Sequence, residues 1–338
     1  MHVLLIGGTG LISTAISRQL LEAGHAVTLF NRGQSENRLP PGAAVIIQGD
    51  RKDYAAFEQT FADKTYDVVV DMVAFAPDDS ASAIRAFKGR CGQFIHCSTV
   101  CVYSGPVAQL PTTETEPYHS LGQYGKDKAI CELLLLQAFE AQSFPVTIMR
   151  PSHSYGEGGA VIRSFGPAET FADRLRKGKP IIVQGDGNSL WASCHVDDVA
   201  RGFIGTMGNA RCLGEAYNIT GDEWMTWNTY HEQVAEVVGG TFHPVHIPTD
   251  VLRETAPQWA GGTYEIFAWP SIFDNSKIKR DTAYTGQTIN FKEGVRRTVA
   301  WLEEKGQIAD SDGDDTEDRL ATAWQAKISE LSSGENTR

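Results

Sequence analysis

The chain has 338 residues, 41% hydrophobic and 21% charged, and 30 basic against 42 acidic residues leave a net charge of −12. That is enough apolar material for a sizeable core and enough length for two domains or one enlarged α/β domain, so disorder is excluded for the body of the chain. The acidic balance argues against a broad nucleic-acid or anionic-membrane surface, and no apolar run approaches the roughly 20 residues that cross a bilayer.

Met1 to Ile6 runs straight into Gly7 with no basic leader and no small-residue cleavage site, so a cytoplasmic protein is expected. Through the first half, short apolar runs alternate with helical patterns. His2–Ile6, Ala26–Phe30, Ala44–Ile47, Asp67–Asp71, Gln93–Cys97 and Val146–Met149 are nearly continuous in apolar character, which suits parallel strands buried on both faces. Leu11–Ala23, Tyr54–Ala62, Ser80–Phe87 and Gln123–Ala141 lie between them and predict helices. The alternation predicts an α/β fold, a Rossmann-type doubly wound parallel sheet over 1–150 with segments near 195–220 returning to it.

Past residue 150 the signals shorten. Pro180–Val183, Ala216–Ile219 and His243–Ile247 predict strands; Val196–Met207, Thr229–Val238 and Phe291–Glu304 predict helices. We read 151–305 as a smaller substrate-binding lobe. From Gly306 the composition changes again: Asp310–Asp318 holds six acids ahead of a helical pattern at Arg319–Leu331. A run of like charge is expected to be a solvated linker. Six cysteines (91, 97, 101, 131, 194 and 212) sit singly without a CxxC pair, which predicts buried thiols and no metal site.

Gly7-Gly8-Thr9-Gly10-Leu11-Ile12-Ser13 directly follows the first strand and opens the first helix. Glycine permits a tight turn and close approach of a pyrophosphate, and the helix start favours its charge. The expected cofactor contacts here are Gly7, Thr9, Gly10, Leu11 and Ile12. The second strand ends Phe30-Asn31-Arg32-Gly33. An acid there would bind the ribose 2′-hydroxyl of NAD, and an Arg the 2′-phosphate of NADP, so Asn31 and Arg32 lean towards NADP, with NAD kept open. Asp50, after the third strand, is placed to meet the adenine amino group or to form a turn.

Tyr124 and Lys128 stand four apart on the predicted helix and so share one face. A nearby ammonium favours phenolate and would lower the Tyr124 pKa towards that of a general base. Asp197-Asp198 stand at a predicted helix start and are expected to cap it. Trp224, Trp227, Trp259 and Trp269 read as lobe packing, since nucleic-acid binding would need basic residues around them.

Taken together these motifs resemble the extended short-chain dehydrogenase/reductases, the NAD-dependent epimerase/dehydratase group. The resemblance covers roughly residues 1–305. It rests on Gly7-x-x-Gly10-x-x-Ser13, Asp50, Ser98-Thr99-Val100-Cys101-Val102-Tyr103, Tyr124-x-x-x-Lys128, Arg150-Pro151-Ser152-His153-Ser154-Tyr155-Gly156 and His195-Val196-Asp197-Asp198-Val199-Ala200. It implies that Tyr124 is the catalytic acid/base, that Lys128 holds the nicotinamide ribose and tunes Tyr124, and that Thr99 binds the reacting oxygen. Ser98 competes for that last role, although strand alternation turns it to the other face.

Two departures narrow the chemistry. In the 4,6-dehydratases of this family Asp-Glu follows the Thr; here Val100-Cys101 follows Thr99, so sugar 4,6-dehydration is not expected. Members acting on nucleotide sugars often carry Gly-Asp-Gly-x-x-x-Arg, and the matching stretch Gly185-Asp186-Gly187-Asn188-Ser189-Leu190-Trp191 ends in Trp. Losing that Arg argues against a nucleotide-diphosphate sugar. Trp191 is open to stacking on a sugar ring or to lobe packing, and His153 to substrate contact or a structural role.

The leading expectation is an NAD(P)-dependent epimerase acting on a sugar-like carbinol through a transient ketone. The alternative is an NAD(P)-dependent dehydrogenase/reductase on a non-nucleotide sugar or related hydroxyl compound; a non-catalytic or RNA-associated relative stands third. Ile130-Cys131-Glu132-Leu133-Leu134-Leu135-Leu136 makes the Tyr124 helix apolar nearly all round. In the resembling family this helix joins a dimer interface, so a homodimer through it is expected.

Overall fold

The computed structural model describes residues 1–333 and divides into two units. The first comprises Met1–Ser154, Ala192–Asp222 and Ile272–Ile289. The second comprises Tyr155–Trp191, Glu223–Ser271 and Asn290–Arg338.

The first unit is built on strands β1 (His2–Ile6), β2 (Ala26–Asn31), β3 (Val45–Gln48), β4 (Tyr66–Asp71), β5 (Cys91–Cys97) and β6 (Val146–Pro151), joined by a seventh strand, Ala216–Ile219. They form one parallel sheet in the order Ala216–Ile219, β6, β5, β4, β1, β2, β3. Helices α1 (Leu11–Glu22), α2 (Tyr54–Thr60), α3 (Pro77–Phe87) and α4 (Gln123–Gln142) supply the crossovers. The reason these strands lack polar alternation is visible in the packing. Val3, Leu5, Val68, Val70 and Ile95 face one cluster, with Ile16 and Leu20 of α1 and Val199 and Phe203 of the helix Val196–Thr206. Leu4, Ile6, Val69, Phe94 and Ile148 face the other, with Phe57, Phe61, Phe87 and Leu135. Both faces are covered, as an all-parallel sheet requires. The strand order reverses between β1 and β4, and the crevice beyond the carboxyl ends at such a point is where ligands bind in open α/β sheets.

Asp197 and Asp198 lie in the first turn of Val196–Thr206, but neither is the cap. His195 is, its Nδ1 accepting from the Asp197 amide at 3.2 Å. Asp198 is fully buried and instead ties down a loop, accepting from the Thr288 and Ile289 amides at 3.0 Å each. All six cysteines are free thiols. No helix among the described residues is long and apolar enough to cross a membrane, and no group of three or more His, Cys, Asp or Glu among them is arranged to hold a metal.

The second unit has a two-stranded parallel sheet, Pro180–Gln184 with His243–Ile247, and an aromatic core containing Trp191, Trp227, Tyr230, Phe171 and Phe291. Its acidic C-terminal segment is not a solvated linker. Asp310 and Asp312 bind Lys177 at 2.6 and 2.8 Å, and Asp318 pairs with Arg174 and Lys179. Glu317 is 3% exposed, pairs with the equally buried Arg163 and Arg174, and accepts from the Ile182 amide at 3.1 Å. The helix Thr316–Ser333 then places Ala321 in a cluster with Ile182 and Ile247, and the Trp324 indole donates to the His246 carbonyl at 2.9 Å. These four acids read as part of a solvated run because their cationic partners lie more than 130 residues earlier in the chain.

Removing one partner of a buried ion pair leaves the other charge uncompensated and costs about 3–5 kcal/mol. Glu317→Ala, which strands Arg163 and leaves Arg174 with Asp318 alone, is expected to lower unfolding free energy by that order in denaturant titration. Asp315→Ala, which removes only an exposed pair with Arg319, is expected to change it by less than about 1 kcal/mol.

Candidate active site

The loop between β1 and α1 turns at Gly7, whose φ of +81° favours glycine, and a Cβ there would lie 2.4 Å from Val73 Cγ1. The Gly7 amide donates to the Phe30 carbonyl at 2.8 Å, and the Ser13 hydroxyl donates back to the Gly7 carbonyl at 2.8 Å. Gly10 caps α1 in extended conformation without a side-chain hydrogen bond, and the first turn carries no acid. A Cβ at Gly10 would meet only Ser13 Oγ at 3.2 Å and the Gly7 carbonyl at 3.8 Å, so space remains above the helix start. Amides and dipole there fit an anionic phosphate, which is the observation that suits a dinucleotide. The side chains of Leu11 and Ile12 pack on the core, leaving their backbone as the part available to a ligand.

A cavity of about 350 Å3 extends from this loop, lined by Gly7, Thr9, Gly10, Asn31, Arg32 and Asp50 among others. Asn31 is engaged locally, accepting from the Gly33 amide at 2.9 Å, and Asp50 accepts from the Lys52 amide at 2.9 Å. Three cations that the motifs did not single out stand nearby. Arg38 donates to the Gly10 carbonyl at 3.2 Å and to Thr14 Oγ1 at 3.0 Å. Arg51, buried, reaches Asp71 at 3.3 Å and lies over the Phe57 ring. Lys52 pairs with buried Asp79 at 2.7 Å. Burial would raise the Asp79 carboxyl, but Lys52 and the Ala76 and Phe75 amides hold it below the usual range.

Thr99, Tyr124 and Lys128 come together in the same unit. Thr99 stands two residues past the end of β5 and caps the short 3-10 helix Val100–Tyr103, its Oγ1 accepting from the Cys101 amide at 3.1 Å. Lys128 is 1% exposed, and its Nζ donates to the Ala74 carbonyl at 2.8 Å and the Cys97 carbonyl at 2.7 Å. Phe75 lines the cavity and also stacks under Lys128, 4.7 Å from Nζ, and beside the Tyr124 ring at 6.4 Å. It therefore joins the cavity to the Tyr–Lys pair. Tyr124 departs from expectation in one respect: its phenol is pushed up, not down. Burial is the chief cause, the Cys97 and Cys101 thiols add to it, and the nearby Thr99 hydroxyl offsets part. The Lys128 ammonium, 6.0 Å from the ring centre, is engaged by two carbonyls. Gly125 was also unmarked by the motifs. A Cβ there would sit 2.3 Å from the Cys101 carbonyl and 2.2 Å from Ser120 Oγ, so only glycine lets α4 approach the Thr99 turn this closely.

His153 accepts or donates at Nδ1 with Ser193 Oγ at 3.0 Å, and burial pushes its imidazole down to about 4, so it is neutral near pH 7. Trp191 belongs to the second unit, where it is 4% exposed, stacked on Trp227 at 4.7 Å and edge-on to Phe267 at 5.2 Å. Of the two alternatives for Trp191, packing is the one its surroundings match, with the ring stacked on Trp227 and almost wholly buried.

The family model described as NAD dependent epimerase/dehydratase matches residues 3–88 and 81–220. Among curated proteins, the chain is similar to 2'-dehydrokanamycin reductase of Streptomyces kanamyceticus, 25% identical over 312 residues that span 92% of this chain and 87% of that one. It is also similar to the chloroplast stem-loop binding protein of 41 kDa b of Arabidopsis thaliana, 29% identical over 250 residues, 70% of this chain and 63% of that one. Among solved structures, a UDP-glucose 4-epimerase with UDP-glucose from Thermotoga maritima superposes with a TM-score of 0.74 at 23% identity, covering 90% of this chain and 99% of that one. That likeness is one of fold.

Proposed function

The chain belongs to the NAD-dependent epimerase/dehydratase family, and from that premise we propose that it is an NAD(P)-dependent dehydrogenase/reductase. Its substrate on this reading is a sugar-like carbonyl or carbinol compound without a nucleotide diphosphate. The observation that carries the reading is that Phe75 joins the cavity at the glycine loop to the Tyr124–Lys128 pair, with the Tyr124 side chain 47% exposed. A protonated phenol is a proton donor to a carbonyl oxygen. Tyr124 gives its proton to that oxygen, and the Thr99 hydroxyl positions it. Lys128 keeps one of its three N–H groups for a further acceptor, since two are bound to carbonyls. A nicotinamide dinucleotide held by the glycine loop would supply hydride to the carbon. On this reading His153, neutral, contacts substrate hydroxyls.

Trp191 in place of the diphosphate-binding Arg, and the similarity along most of the chain to a reductase, both support this reading over an epimerase, the leading expectation from the sequence. The second-strand end carries Arg32 and no acid, with Arg38, Arg51 and Lys52 nearby, which supports NADP over NAD. A homodimer through α4 is part of the same proposal: Ile130 is 44% and Leu133 53% exposed on that helix, whereas Leu135 is fully buried.

Three outcomes are expected. A survey of keto-sugars with NADPH gives stoichiometric loss of nicotinamide absorbance, and Tyr124→Phe lowers that turnover by about a hundredfold to ten-thousandfold; turnover that needs no added cofactor would favour the epimerase. Arg32→Ala weakens NADPH binding about tenfold by calorimetry while NADH binding is unchanged, the loss of one charge-assisted contact. Leu133→Glu converts a dimer to a monomer in sedimentation velocity; a wild-type monomer at micromolar concentration sinks the dimer.

A further inference from the structure

We propose that Glu132, held between Ser98 and Arg150, is a positioning residue that sets how Thr99 meets Tyr124. This rests on the reading of Tyr124 as the acid/base and deepens it. Cys97, the last residue of β5, and Ser98 after it are both fastened to one face of α4, and Thr99 follows them directly. The Cys97 carbonyl accepts from Lys128 at 2.7 Å, the Ser98 hydroxyl donates to Glu132, and the turn that Thr99 caps lies against the start of α4 at Gly125, beside Tyr124. Tyr124, Lys128 and Glu132 follow at intervals of four, so successive turns of the helix present them side by side.

The middle rung is the charged one. Glu132 is fully buried, and both its oxygens lie 3.0 Å from Arg150 Nε. It also accepts from the Tyr118 hydroxyl at 2.8 Å. Arg150, 2% exposed, extends the hold to the hydroxyl of Tyr103, the last residue of the turn that Thr99 caps, and to Tyr118 at 2.8 Å. The Tyr103 hydroxyl donates in turn to Asn218 at 3.4 Å. Thr99 is thus anchored on both sides, through Ser98 to Glu132 and through Tyr103 to Arg150. A buried ion pair is a poor way to gain stability, since apolar residues of equal volume often serve as well. Apolar residues have no directional bonds with which to aim the Ser98 and Tyr103 hydroxyls that bracket Thr99.

The test reads Tyr124 itself and needs no substrate. Tyrosine labelled with 13C at Cζ is incorporated into the full chain, and the Tyr124 signal is assigned from Tyr124→Phe. Thr99→Ala marks the position of a phenol without the Thr99 hydroxyl nearby. Ser98→Ala, which leaves the Glu132–Arg150 pair intact, is expected to move the Tyr124 signal towards that position, and Ser98→Thr to restore it. Ser98→Cys replaces the alanine variant if the latter does not fold. A Tyr124 signal that stays at its wild-type position without the Ser98 hydroxyl overturns the proposal, whether or not the melting temperature falls. A signal unmoved by Thr99→Ala overturns the Thr99–Tyr124 pair of the functional reading, and the positioning role with it.

Discussion

The fastening of one face of α4 to the end of β5 is the constraint on which the site depends. Lys128 carries a full charge at 1% exposure, and an ammonium withdrawn from water without partners would cost several kcal/mol. The Ala74 and Cys97 carbonyls remove most of that cost, and they come from the loop after β4 and the last residue of β5. Because β4 and β5 are adjacent and parallel, both carbonyls emerge at the same edge of the sheet. The helix therefore cannot slide without stranding a charge. Gly125 completes the constraint by letting the helix approach the Thr99 turn to a distance any side chain would forbid.

This accounts for which parts of the molecule were legible in the sequence. The seven-stranded sheet was readable because strands covered on both faces are continuously apolar, and the helices between them are long enough to show their period. The glycine loop was readable because its chemistry is local: three glycines between a strand and a helix. Tyr124 and Lys128 could be found because four residues is one helical turn. Strand alternation points Ser98 away from the face of Thr99, and its hydroxyl binds Glu132, a residue the sequence reading took only as part of an apolar run. The signal was present, a second interval of four beyond Lys128, and a carboxylate amid leucines is an anomaly that calls for a buried cation.

What the sequence did not display was partnership over distance. Asp310, Asp312, Glu317 and Asp318, four of the six acids between residues 310 and 318, look solvated when the cations that pair with them, Arg163, Arg174, Lys177 and Lys179, are read separately as a scattered basic set. The lowered carboxyls of Asp310 and Asp312 beside Lys177 belong to a formed interaction, not to a free tail. Trp191 failed to declare itself for a related reason. A tryptophan aligned with a functional position reads as either ligand or core, and only the Trp227 and Phe267 rings around it decide the matter.

The direction of the proposed chemistry follows from where the site keeps its charge. Sequence spacing alone put a cation beside Tyr124 and so suggested a phenolate ready to accept a proton. The folded site separates the two effects: the ammonium is engaged by two carbonyls, and the phenol is partly desolvated next to two thiols, which raises its affinity for the proton. The site therefore keeps the phenol present as the acid, although a weaker one than in water. Reduction of a carbonyl needs that proton at the oxygen as hydride reaches the carbon, whereas oxidation of a carbinol must first empty the phenol against its raised affinity. Thr99 moderates the difference, because a hydrogen bond that stabilises the phenolate lowers the cost of the reverse step. The angle at which Thr99 meets Tyr124 therefore tunes the balance between the two directions, and on the proposed reading that angle is set by Ser98, Glu132 and Arg150 behind it.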